Sequence, residues 1–241
     1  MDRAAARLFE ICAALLVLLL ALPLLLATML AIWLADGGTP IYRAPRVGRG
    51  GRDFTMFKLR TMVASADRLG GRFAPDADPR ITRVGAWLRR TKIDEIPQFW
   101  NVVRGEMAIV GPRPDMRSGV DRYSPEEMRL LDVRPGITGL ASLLFFDEGQ
   151  LLARAGDPAA YHIAVIRPLK SRLGLLQVEG RPAADMRIAG LTALRFVSRD
   201  AALAGVARIL DAFGAEDDLL ALCGPRPQTA ILRGVAGTVR G

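Results

Sequence analysis

Twenty-four consecutive residues, Ile11 to Leu34, carry no charged side chain, so any fold of this chain must find an apolar solvent for them. A helix over this run would be roughly 36 Å long, enough to cross a hydrocarbon core of ~30 Å. A cleaved signal peptide is disfavoured. The run exceeds the usual apolar length of such peptides, and bulky Trp33 would fall at the small-residue position before a cut after Ala35. Arg3 and Arg7 precede the run, and Arg43, Arg46, Arg49 and Arg52 follow it, so positive charge pulls both ends to the cytoplasmic side. A single straight span cannot satisfy both flanks. Pro23 lies at the centre of the run, removes a backbone hydrogen bond and favours a kink. A helix that enters the membrane, bends at Leu22-Pro23 and returns to the same face reconciles them. An ordinary span with a tolerated proline is the alternative.

The remaining charge is concentrated. From Pro40 to Arg104 there are 14 Lys and Arg against 6 Asp and Glu, an excess of 8 that equals the formal net charge of +8 for all 241 residues. A basic patch of this kind attracts nucleic acid, anionic lipid headgroups or phosphorylated small molecules. Cys12 and Cys223 make neither a disulfide framework nor a metal spacing, and a single histidine, His162, cannot anchor a His-based site. A reducing, cytoplasmic setting fits this usage. Hydrophobic content of 51% is high for a soluble domain and agrees with a membrane-associated chain large enough to bury a core.

After Asp36-Gly-Gly-Thr-Pro stops the first helix, Ile41 to Val47 and Phe54 to Leu59 read as strands of a hairpin around Gly48-Arg-Gly-Gly51. A phosphate-cradling loop at these glycines lacks the Lys-Ser/Thr that should follow. Lys58 and Arg60 alternate onto one face of the second strand, as solvated edge charges or as phosphate ligands. Ala64 to Asp78 reads as a mobile polar loop. Asp78 to Thr82 gives a turn and cap, and Val84, Trp87 and Leu88 start an apolar helical face that ends at Arg89-Arg90-Thr91.

Two adjacent carboxylates, Asp94 and Glu95, then interrupt the basic segment. Pro97 is comfortable only in a first helical turn, which predicts a helix carrying Ile96, Phe99, Trp100 and Val103 that begins close to Asp94 and places this residue at or near the N-cap. A capped amphipathic helix explains the pair without chemistry, while the positive end of a helix dipole also suits a phosphate. Met107 to Val110 reads as a strand, followed by Gly111-Pro-Arg-Pro114, whose prolines fix the backbone around the planar fork of Arg113. A second Gly-Pro-Arg-Pro at Gly224 has no acidic pair upstream and is treated as coincidence. Val133 to Leu140 is a turn-rich strand, residues 141 to 200 are helical in pieces, and the tail is helical near Ala202 to Phe213. The expected fold is α+β: a mostly helical catalytic domain with a short β-hairpin or small sheet, anchored by an N-terminal re-entrant membrane helix. Its expected parts are residues 1–38 as anchor, 39–180 as catalytic domain and 181–241 as a helical extension without an assigned role.

In order, the apolar N-terminal helix, Asp-Gly-Gly-Thr-Pro-Ile-Tyr-Arg, Phe-Lys-Leu-Arg-Thr-Met, Asp-Pro-Arg-Ile-Thr-Arg-Val-Gly, the Asp94-Glu95 stretch, Gly-Pro-Arg-Pro and Val-Arg-Pro-Gly-Ile-Thr-Gly resemble the bacterial sugar transferases, the monotopic phosphoglycosyl transferases. The resemblance covers about Arg3 to Leu140 and extends more weakly to about Leu175. It implies transfer of a sugar 1-phosphate from a UDP-sugar to undecaprenyl phosphate with release of UMP, at the cytoplasmic face of a bacterial inner membrane, to initiate exopolysaccharide or glycoconjugate assembly. Asp94 matches the nucleophile and Glu95 its partner, with Mg2+ required and both carboxylates as its expected ligands. Lys58, Arg60, Arg80 and Arg113 are candidates for phosphate or nucleotide, with Arg90 and Arg134 as further ones. Membrane lipid, UDP-sugar and undecaprenyl phosphate are the implied partners, with downstream glycosyltransferases and without nucleic acid. A carboxylate that attacks phosphorus forms an acyl phosphate and divides the displacement into two ping-pong steps. Mg2+ suits a site of one or two carboxylates completed by phosphate oxygens. The chain departs from the family at the kink, where Leu22 stands in place of a serine, and from residue 181 onward it carries none of the family's motifs. The competing reading is a non-catalytic, membrane-anchored basic module that binds anionic lipid or nucleic acid. It leaves two carboxylates inside an anion-binding segment unexplained.

Overall fold

A computed structural model describes residues 3–69, 75–76, 78–179 and 182–224 of the chain. Part of the loop expected from Ala64, residues 70–74 and 77, lies outside the described residues, as do residues 225–227 of the second Gly-Pro-Arg-Pro. The first helix, α1 (Arg3–Asp36), runs without interruption through Pro23. It is long and apolar enough to cross a membrane, but one seam of it is docked on the rest of the molecule. Small residues Ala14, Ala21 and Thr28 recur every seven positions, flanked by Leu18, Leu25 and Ile32 at the same interval. Ala14 packs with Ala44, Met56, Val102 and Met107. Leu25 and Ile32 pack with Leu59 and Leu88. A seven-residue interval advances two helical turns, so these positions stay on one face, and small side chains let the backbone approach closely. The opposite face exposes Leu15, Leu16, Leu19, Leu20, Leu26 and Leu30.

Both ends of α1 are tied to the same body. Near the start, Arg7 donates to the carbonyls of Val102 and Met107, and Glu10 accepts from the N–H of Ile109 at 3.2 Å. At the end, Asp36 receives both Nη groups of Arg60 at 2.5 and 2.6 Å. Within the helix, the Thr28 hydroxyl donates back to the carbonyl of Leu24 at 2.8 Å, a bond that bends helices locally.

The expected hairpin forms from β1 (Ile41–Val47) and β2 (Asp53–Leu59), antiparallel with Ile41 opposite Leu59 and Val47 opposite Asp53. Its tip turns through Gly50 and Gly51, both with positive φ, which glycine adopts without the steric penalty of a side chain. The second helix, α2 (Arg83–Thr91), is capped by the Thr82 hydroxyl, which accepts from the N–H of Gly85 at 2.9 Å. There follow α3 (Gln98–Val103), β3 (Ala108–Val110), α4 (Arg117–Val120) and β4 (Gly136–Thr138). Strands β3 and β4 pair in parallel, with Ala108 opposite Gly136 and Val110 opposite Thr138. The C-terminal half is helical: α5 (Leu140–Leu144), α6 (Glu148–Ala153), α7 (Pro158–Tyr161), α8 (Arg167–Glu179), α9 (Pro182–Arg195), α10 (Arg199–Ala212) and α11 (Asp217–Ala221). One apolar core runs from Leu140 and Leu143 through Ile166 and Leu173 to Ile188, Val206 and Leu210. Helices α9 and α10 are thus built into the same core as α5 and α8.

The helix expected to begin beside Asp94 starts later. Asp94 and Glu95 lie in a single 3-10 turn, Ile93–Glu95, and α3 proper begins at Gln98. Pro97 supplies no N–H, so the chain between Lys92 and Trp100 is held by i to i+3 bonds such as Ile96 N to Ile93 O at 3.1 Å. Asp94 therefore caps nothing, and the six residues of α3 give it no substantial dipole to exploit.

Candidate active site

Lys92 ends α2 in the left-handed region at φ 57° and ψ 14°, reversing the chain into the turn that carries both carboxylates. A lysine there is strained by about a kcal/mol or more, and such strain concentrates at functional sites. From the other side, Gly111 donates to the carbonyl of Thr138 and Gly136 to that of Pro112, each at 2.9 Å. A Cβ on Gly136 would stand 2.1 Å from the Gly111 nitrogen, so only glycine permits this approach. The approach sets Arg113, between its two prolines, opposite the acidic turn.

Glu95 and Asp94 then meet different surroundings. Arg113 grips Glu95 with both Nη groups, at 2.7 Å to Oε1 and 3.0 Å to Oε2, and Lys58 Nζ donates to Oε1 at 3.0 Å. Burial alone would raise the Glu95 pKa, but Arg113 and Lys58 override it and hold this carboxyl far below the usual range. Asp94 is 6% exposed, its Oδ2 lies 3.9 Å from Lys58, and its Oδ1 has no hydrogen-bond partner among the described residues. Burial pushes its pKa up, and the Glu95 charge adds to that against the pull of Lys58. Two neighbouring carboxylates are thereby driven apart, Glu95 as a fixed anion and Asp94 as an open one.

The turn faces a cleft of about 1280 Å³. Lys58, Asp94, Glu95 and Arg113 line it together, and Arg80 and Arg90 lie on its wall as well. Arg80 is forked onto Asp78, with bonds of 2.6 to 3.2 Å. Arg90 is exposed on the last turn of α2. Arg60 also reaches the cleft, but its guanidinium is held by Asp36 and the Thr39 carbonyl, which makes it the tie between β2 and α1. Arg134 is not brought to the cleft lining. It donates to the carbonyl of Gly105 and senses Arg7 at the foot of α1.

Sequence reasoning missed several cleft residues. Arg89 donates to the Thr61 hydroxyl at 3.0 Å and feels the Asp94 charge, a position marked only by its place in the arginine pair. Lys92 lies with its ammonium 4.7 Å from the centre of the Phe146 ring. Phe145, Phe146, Glu148 and Lys170 line the far side with Thr192 and Ala193 of α9 and Phe196 in the turn after it. No local spacing signals these residues, because distant segments bring them in. Among the described residues no group of three His, Cys, Asp or Glu is gathered, and the buried carboxylate oxygen of this cleft without a hydrogen-bond partner is Asp94 Oδ1. Glu95 would have to release one of its two cations to join it.

The open carboxylate thus lies in a cationic cleft that a helix long and apolar enough to cross a membrane helps to line. Residues 1–154 match the bacterial sugar transferase family, and the chain belongs to that family. It is similar to UDP-N-acetylgalactosamine-undecaprenyl-phosphate N-acetylgalactosaminephosphotransferase of Aeromonas hydrophila, with 43% identity over 138 residues, 56% of this chain and 33% of that protein. UDP-glucose:undecaprenyl-phosphate glucose-1-phosphate transferase of Caulobacter vibrioides is 44% identical over 140 residues, 57% of this chain and 52% of that protein. Exopolysaccharide production protein ExoY of Rhizobium meliloti is 40% identical over 151 residues, 56% of this chain and 67% of that protein. The chain thus spans from a third to two thirds of the length of these relatives.

Proposed function

We propose that this chain transfers a sugar 1-phosphate from a UDP-sugar to undecaprenyl phosphate and releases UMP, through a phosphosugar intermediate on Asp94. The observation that carries this reading is the contrast within the acidic turn: Glu95 is saturated by Arg113 and Lys58, while Asp94 presents an unpartnered oxygen beside the same cations. In the first step an Asp94 carboxylate oxygen attacks the sugar-bearing phosphorus. The bond from phosphorus to the bridging oxygen of UMP breaks, and UMP leaves with that electron pair. In the second step a phosphate oxygen of the lipid acceptor attacks the same phosphorus and the Asp94 carboxylate leaves, so the two polyanions need not be bound together. Lys58 and Arg113 attract the diphosphate, and the Glu95 anion keeps both side chains charged and aimed. Mg2+ belongs to this proposal: Asp94 Oδ1 and substrate phosphate oxygens would hold it, and when bound it neutralises charge on the phosphates.

The same reading has α1 re-enter the cytoplasmic leaflet of the inner membrane. Positive flanks favour a shared side for both ends, and Arg7 and Asp36 both bond to the catalytic body. Pro23 sits on the exposed side of α1. A proline on that side favours a bend convex toward it, which in this reading would point the apex into lipid. Val17 of α1 lines the cleft, giving a lipid-borne phosphate a route along the helix. The role follows from the chemistry: initiation of exopolysaccharide or glycoconjugate assembly, with downstream glycosyltransferases taking the lipid-linked product. The test is UMP release from a panel of UDP-sugars with undecaprenyl phosphate. Asp94→Asn should abolish release while membrane association persists; full activity in that variant refutes the nucleophile.

A further inference from the structure

The far wall of the cleft has a chemistry unlike the phosphate-binding wall. Glu148 opens α6 and Lys170 lies on α8; they meet with Lys170 Nζ 2.5 Å from Glu148 Oε2, and both line the cleft. His162 Nδ1 is 3.0 Å from the other Glu148 oxygen and fixes the carboxylate plane. The side chains of the pair remain 25% and 23% exposed. Aromatic rings line the same cleft: the Lys170 ammonium is 5.7 Å from the centre of Phe145, and Phe146 meets Phe196 edge to face at 5.4 Å. Arg113, Asp94 and Glu95 line the same cleft as this pair.

An ion pair is nearly neutral overall, so it gives a phosphate no net attraction, and its carboxylate oxygens oppose one. It suits a neutral polyol. The carboxylate accepts from one hydroxyl while the ammonium donates to its neighbour, and vicinal hydroxyl oxygens are spaced by about one hydrogen-bond length, as are the two halves of this pair. Aromatic rings beside such a pair cover the apolar C–H face of a pyranose, the usual division of labour in a small-molecule site. We propose that Glu148 and Lys170 read vicinal hydroxyls of the transferred sugar and so set donor choice, an inference that rests on the sugar-phosphate transfer proposed above. The ribose of the nucleotide carries the same diol chemistry, and the experiment separates the two.

Full-length protein in membranes is assayed by UMP release with donors that differ from the preferred one by a single missing or inverted sugar hydroxyl. Wild type should lose at least ~10-fold in kcat/KM with one such donor, since a site built around a hydroxyl rejects its absence strongly. Glu148→Gln and Lys170→Met should reduce that discrimination to within about threefold, while product inhibition by UMP, which carries ribose and no sugar, stays within about twofold of wild type. Lys170→Arg keeps the pair and the fold but changes reach, and it should alter discrimination with an unchanged melting temperature. Discrimination that persists in all three variants overturns the inference, as does wild type that treats the matched donors equally. Weakening of UMP inhibition in step with the donor assigns the pair to the ribose and overturns it too. Wild type that releases UMP from no donor refutes the transfer reading itself, a failure distinct from these.

Discussion

Replacing the two neighbouring carboxylates by their amides should move stability in opposite directions. Glu95 is 18% exposed and holds three charge-assisted bonds of 2.7 to 3.0 Å. Glu95→Gln leaves Arg113 and Lys58 charged beside a neutral group, and breaking a buried pair from one side costs roughly 3–5 kcal/mol. For a protein of this length each kcal/mol shifts the melting point by about 2–4 °C, so the variant should melt roughly 6–20 °C below wild type. Asp94 is buried with Oδ1 unpartnered and its cation at 3.9 Å, beyond hydrogen-bond reach. Asp94→Asn removes a charge that burial opposes and gives up only a weak attraction, so its melting point should stay level or rise by up to about 4 °C. Fluorescence of Trp33, Trp87 and Trp100 in nanodiscs, heated at one scan rate, reports both transitions. Equal destabilisation by the two substitutions, or a Glu95→Gln melt within about 2 °C of wild type, refutes the division of labour inside the turn.

Two further outcomes follow from the same geometry. Burial raises the Asp94 pKa while the attacking form is the carboxylate, so kcat/KM for UMP release should climb with pH along a limb above the ordinary aspartate range. The stability terms run in opposite senses. Glu95, held low, contributes above its unfolded pKa and loses that contribution only in strong acid; the contribution of Asp94, held high, is present at low pH and fades as pH rises. A rate flat between about pH 4 and 7 contradicts the assignment. For topology, cysteines added at the N-terminus and in the catalytic region should both be labelled from the cytoplasmic side, and an external N-terminus would make α1 a true span.

Local signals in the sequence were strong where bonds are local. The Gly-rich tip announced the hairpin, Thr82 announced the start of α2, and the paired prolines around Arg113 announced a fixed guanidinium. The error at Asp94 came from reading Pro97 as the first turn of a longer helix, when the missing N–H instead prolongs a 3-10 segment and delays α3 to Gln98. Arg60 could be placed on a strand face but not paired, because its partner Asp36 lies 24 positions upstream with no spacing rule between them. Glu148, Lys170 and Thr192 were invisible for the same reason: helices α6, α8 and α9 come together only through the long-range core around Leu173 and Ile188. The residues from 181 onward offered no motif, yet α9 supplies a wall of the cleft.

The seven-residue seam on α1 gives that helix two solvents at once. Its exposed leucines answer only to hydropathy and are interchangeable, whereas Ala14, Ala21 and Thr28 answer to the shape of the surface beneath them. An anchor borrowed from an unrelated protein would keep the chain at the bilayer and still leave Met56, Leu59 and Leu88 without their cover, so grafting must preserve register as well as greasiness. The same seam makes a shortened, water-soluble catalytic fragment a redesign problem: removing α1 uncovers apolar core rather than trimming a tail.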